Sequence, residues 1–64
     1  MPRAVWLSCK KFTGRVVTFE DERNHVERIM NAPPVWSKFI GQPLANLIVW
    51  LRKFGWLQIV DLDK

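Results

Sequence analysis

The side chains that could do chemistry are few: Ser8, Cys9, His25, Ser37 and the carboxylate run Glu20-Asp21-Glu22. A nucleophilic serine needs a base and an orienting group, and neither Ser8 nor Ser37 stands in such a pattern. His25 lies among charged residues, where a solvated surface histidine is expected rather than a general base. Cys9 falls on the apolar parity of a strand and reads as a small core residue, although the Lys10 and Lys11 that follow are neighbours that could activate a thiol. One cysteine and one histidine cannot form an intramolecular disulfide or a Cys/His zinc site. The carboxylate run lacks the spaced oxygen ligands and the glycine of a calcium loop. Gly14, Gly41 and Gly55 are too far apart for a phosphate-binding loop. The expectation is a non-enzymatic protein with no catalytic, cofactor or metal site.

Function must then lie in binding, and the elements decide which residues can bind. Residues 4 to 12 alternate as a strand, with Val5, Leu7 and Cys9 on one face and Trp6, Ser8, Lys10 and Phe12 on the other. Thr13-Gly14 interrupts this pattern and Arg15 to Phe19 resumes it. A glycine inside a strand pattern marks a bulge or a tight turn, and the reading favoured is one long bent strand. Glu20 to Asn24 is a polar turn, His25 to Met30 a second strand, and Asn31-Ala-Pro-Pro34 its stop. Pro34 opens a short helical segment, in which Trp36, Phe39 and Ile40 share a side.

The main helix is expected from about Pro43 to Phe54, with proline in its first turn and Gly55 at its carboxyl-terminal cap. Leu44, Leu47, Ile48 and Leu51 make its buried stripe, widened by Trp50 and Phe54. Trp56 to Leu62 is a third strand, with Leu57 and Ile59 on one face and Trp56, Gln58 and Val60 on the other. The sum is a single α+β domain over residues 1–64, in two layers and in the order β-β-α-β. Its three-stranded mixed sheet carries the helix on one face, and a right-handed crossover makes the second and third strands parallel.

A helix on one face leaves the other open. Exposed aromatic residues there mark an interaction site, and the candidate binding residues are Trp6, Lys10, Phe12, Arg15, Trp56 and Gln58. Two partner classes fit. A larger protein assembly would use the aromatic side chains as anchors, making this a regulator, inhibitor or accessory subunit. Single-stranded nucleic acid would stack its bases on Trp6, Phe12 and Trp56 while Lys10, Lys11, Arg15 and Arg3 meet phosphates. Protein binding leads, because the cations are modest in number and the adjacent acidic turn partly balances them.

Composition sets the outer limits. With 64 residues and 48% hydrophobic content including four Trp and four Phe, the chain can fold as one small domain, and self-association as a homodimer would add buried surface. The net charge of +4 is uneven, with four cations and no acid in residues 1 to 15. The longest apolar run, Leu47 to Leu51, falls far below the ~20 residues of a membrane span. The amino terminus does not read as a signal peptide, and a cytoplasmic protein with a reduced thiol is expected.

Overall fold

The computed structural model describes residues 2–23 and 25–62. In chain order the elements are β1 (Arg3–Cys9), β2 (Arg15–Asp21), β3 (Glu27–Asn31), a 3₁₀ segment (Pro34–Phe39), α1 (Leu44–Arg52) and β4 (Leu57–Asp61). The strands form one sheet in the order β3-β2-β1-β4, and every neighbouring pair is antiparallel. This corrects the expected β-β-α-β order and three-stranded mixed sheet: the domain is α+β, but its sheet has four strands and no parallel pair.

The correction turns on Gly14. The long bent strand expected across residues 4 to 19 is a hairpin, β1 and β2, and the chain begins to reverse where the Cys9 amide donates to the Phe12 carbonyl at 3.0 Å. Trp6 lies against the returning chain so closely that a β-carbon on Gly14 would stand 2.0 Å from its Cζ2. Only glycine permits that approach. With β2 on one side of β1, β3 pairs with the far side of β2, and the last strand takes the free side of β1. The residue partners are Trp6 with Val16 and with Val60, and Phe19 with Ile29 beyond a register shift at Thr18/Phe19. Asn24, the last residue of the expected polar turn, lies outside the described residues. The turn after β2 is closed by the Glu22 amide on the Val26 carbonyl, with His25 exposed at positive φ.

Alternation assigns Val5, Leu7 and Cys9 of β1, Val17 and Phe19 of β2 and Ile29 of β3 to the buried face, where all are core residues. The helix meets them with Leu44, Leu47 and Leu51, the spacing that puts side chains on one stripe. Trp36 and Phe39 of the 3₁₀ segment complete the core, while Ile40 faces solvent. Trp36 is fully buried and its indole Nε1 has no hydrogen-bond partner among the described residues. A buried donor left unpaired costs about 1–3 kcal/mol, so the ring is retained there for its volume.

The backbone of α1 comes close to β3 and the 3₁₀ segment, while Leu44, Leu47 and Leu51 join the buried residues of β1 and β2 in one core. On the inner side of β4, Leu57 is half-buried against the core and Ile59 is exposed.

Candidate interaction surfaces

The face of the sheet away from α1 carries Trp6 and Ser8 of β1, Val16 and Thr18 of β2, Arg28 and Met30 of β3, and Gln58 and Val60 of β4. Register aligns Val16, Trp6 and Val60 in one row across three strands. Val16 is 49% exposed, Val60 39% and Met30 52%. Trp6 is half-buried because its ring leans over Gly14, the diagonal position that an aromatic side chain reaches across a strand pair. Ser8 and Gln58 are paired beyond Trp6, and Glu20 faces Arg28 at the opposite corner. The centre of the face is therefore aliphatic, with one tryptophan; Ser8 beside it is buried, and Gln58, Glu20 and Arg28 lie toward its margins.

The six candidate residues do not come together on this face. Trp6 and Gln58 lie on it, and Trp56 stands at its margin just before β4, 58% exposed. Phe12 belongs to the turn after β1 and packs on the helix side, where its ring meets Trp36 at 6.0 Å, Trp50 at 5.7 Å and Phe54 at 5.7 Å between centroids. Arg15 is the partner of Leu7 and so follows the helix-side parity. Lys10 lies beyond the end of β1, its stem beside Gly55.

These cations form part of a second feature, a basic pole. Lys11 Nζ stands 4.8 Å from the Phe54 centroid, and Lys38 Nζ 4.7 Å from that of Trp50. Ammonium groups at such distances are held by the ring quadrupole. With Lys10, Arg15, Arg52 and Lys53, they place six cations and no carboxylate, among the described residues, around the end of the sheet where β1 finishes and β4 begins. The opposite end holds Glu20, Asp21, Glu22, Glu27 and Asp61 against Arg3, Arg23 and Arg28.

Arg3 organises that acidic pole. Its guanidinium donates to Asp61 Oδ2 at 2.6 Å and lies 3.8 Å from Asp21 and 4.0 Å from Glu27. The Asp61 hydrogen bond and charge, then the charges of Asp21 and Glu27, hold Arg3 above its usual value. Arg28 pairs with Glu22 and donates to the Gly41 carbonyl at 2.7 Å.

Against protein-family models, curated proteins and solved structures, the chain finds no match. Its functional reading rests on geometry alone. No cluster of three metal-ligating side chains occurs among the described residues, and Cys9 is a buried free thiol. No described helix is long and apolar enough to cross a membrane.

The sequence reading passed over Val16 and Met30. Their signal was present in the alternation of residues 15 to 19 and 27 to 31, but it could be used only once the reversal at Gly14 was known.

Proposed function

We propose that the chain is a non-enzymatic protein-binding module, a regulator, inhibitor or accessory subunit that docks on a larger assembly through its open sheet face. The observation that carries this reading is the Val16-Trp6-Val60 row flanked by Met30, an apolar surface whose centre holds no cation. Contiguous exposed apolar surface marks contact sites, and a single tryptophan amid aliphatic neighbours resembles a hot spot inside a water-excluding ring. A stacking platform for nucleic-acid bases calls for several exposed rings with cations between them. Here Phe12 lies on the helix side and the cations gather at the basic pole. That pole favours a second reading, in which nucleic acid binds along the end of the sheet.

One substitution separates the two. Val16→Lys puts a cation into the aliphatic row without touching the core. Protein binding through the face should fall by at least tenfold in affinity, measured by capture from host lysate treated with nuclease and by titration of the recovered target. Nucleic-acid binding should hold or tighten, and should weaken steeply with added salt. Recovery of the same protein target by wild type and Val16→Lys alike would sink the open-face reading.

A further inference from the structure

Among the described residues, the outer edge of β4 is the second surface left without a pairing segment, and it is built of different groups. Strand pairing alternates between residues that exchange main-chain hydrogen bonds and residues that do not. The Leu62 amide donates to the Ala4 carbonyl, so the residues of β4 that bond to β1 share the parity of Leu62, namely Gln58 and Val60. Leu57 and Ile59 therefore turn their amides and carbonyls away from β1, toward the open edge. The side chains there are mainly apolar: Leu57 and Ile59 on the helix side, and Trp56 and Val60 flanking Gln58 on the other, with Ile59 44% exposed. Edges are ordinarily protected by lysine, proline or a covering segment. From Trp56 to Leu62 the strand has neither lysine nor proline.

We infer that this edge pairs with the same edge of a second copy, antiparallel, about a two-fold axis through Gln58. In that register Leu57 faces the partner's Ile59 in a hydrogen-bonded pair, twice over by symmetry, which satisfies the outward main-chain groups of both residues. Trp56 faces the partner's Val60, and Gln58 faces the partner's Gln58. Apolar side chains meet apolar ones on both faces of the junction. Moving the axis to Ile59 would instead set Leu57 against Asp61 and Gln58 against Val60, matching apolar groups with polar ones.

Charge supplies the reason why the strand added is a second copy. Each molecule is basic where β4 begins and acidic where it ends. An antiparallel partner lays its basic pole beside the acidic pole of the first, with Asp61 opposite the partner's Gly55, against which the partner's Lys10 lies. The product is a continuous antiparallel sheet, β3-β2-β1-β4-β4-β1-β2-β3, with both helices on one side and both open faces on the other. The inference rests on the outward main-chain groups of Leu57 and Ile59 and shares only Val60 with the Val16-Trp6-Val60 row of the open-face reading; Val16 and Met30 lie two and three strands away from this edge.

A single strand pair is a small interface, at the weak end of the range for specific contacts, so the test is sedimentation of the purified protein up to ~1 mM. The expected result is a monomer shifting to dimer with rising concentration, weakened by salt. Ile59→Lys should weaken it at least tenfold while leaving the circular dichroism unchanged, and Val16→Lys should leave the dimer intact. Gln58→Cys should give a disulfide-linked dimer on mild oxidation, because non-hydrogen-bonded partners bring their Cα atoms within about 4.5 Å. Ile59→Cys should stay unlinked. A monomer at every concentration would overturn the inference, as would a dimer indifferent to Ile59→Lys. An Ile59→Cys dimer without a Gln58→Cys one would overturn the axis at Gln58.

Discussion

Along β3, the outward amide of Ile29 donates to Gln42 and its carbonyl accepts from Gly41, both at 2.9 Å, while Pro43 lies opposite Arg28. Along β4, the outward groups of Leu57 and Ile59 meet no such segment among the described residues. Both are edges of one sheet, yet one is protected by the chain's own connection and the other is left to whatever approaches it. The difference follows from where the link between the last two strands runs. It leaves β3, passes through the 3₁₀ segment, returns along that edge as Gly41 to Pro43, enters α1, and reaches β4 only at the end. A covered edge adds stability to the monomer. An open one adds a place to pair.

The covered side should break most readily. Trp36→Ala removes the largest fully buried side chain, and such a truncation costs about 3–5 kcal/mol. A domain of this size holds on the order of 3–10 kcal/mol in total, so denaturant titration should find this variant largely unfolded. Next comes the reversal that made the sheet four-stranded. Gly14→Ala forces Trp6 out of its seat at about 1–3 kcal/mol, and the Trp6 indole proton should shift toward its solvent-exposed position in the NMR spectrum. Gly41, at φ +87 and with open space around it, tests the edge cover itself. Gly41→Ala meets no clash and should cost only the left-handed backbone, about 1–2 kcal/mol, with faster hydrogen exchange at Ile29. Smallest is Ile59→Lys on the open edge, which should change monomer stability by no more than about 0.5 kcal/mol. A larger loss there would mean that β4 is packed rather than open.

Much of the local structure was legible because local patterns produce it. The i, i+3, i+4, i+7 spacing of Leu44, Leu47, Ile48 and Leu51 marked the helix, and the helix found runs from Leu44 to Arg52 inside the expected limits. The alternation of Val5, Leu7 and Cys9 marked the buried side of β1, and that of Leu57 and Ile59 against Gln58 and Val60 gave the parity of β4. Cys9 as a core residue followed from the same alternation. Phe12 departs from that alternation. Its parity put it beside Trp6 on the assumption that the strand continued, whereas the strand ends at Cys9 and its ring joins Trp50 and Phe54.

By itself the sequence determined the helix, its buried leucine stripe and the buried parity of β1, because each depends on residues a few positions apart. Tertiary structure decided the number of strands, their order and which surfaces remain bare. Those depend on the close approach of Trp6 to Gly14, a contact eight residues apart whose geometry no periodicity encodes. A bulge and a reversal look alike in sequence at Thr13-Gly14, and they send every later strand to a different neighbour.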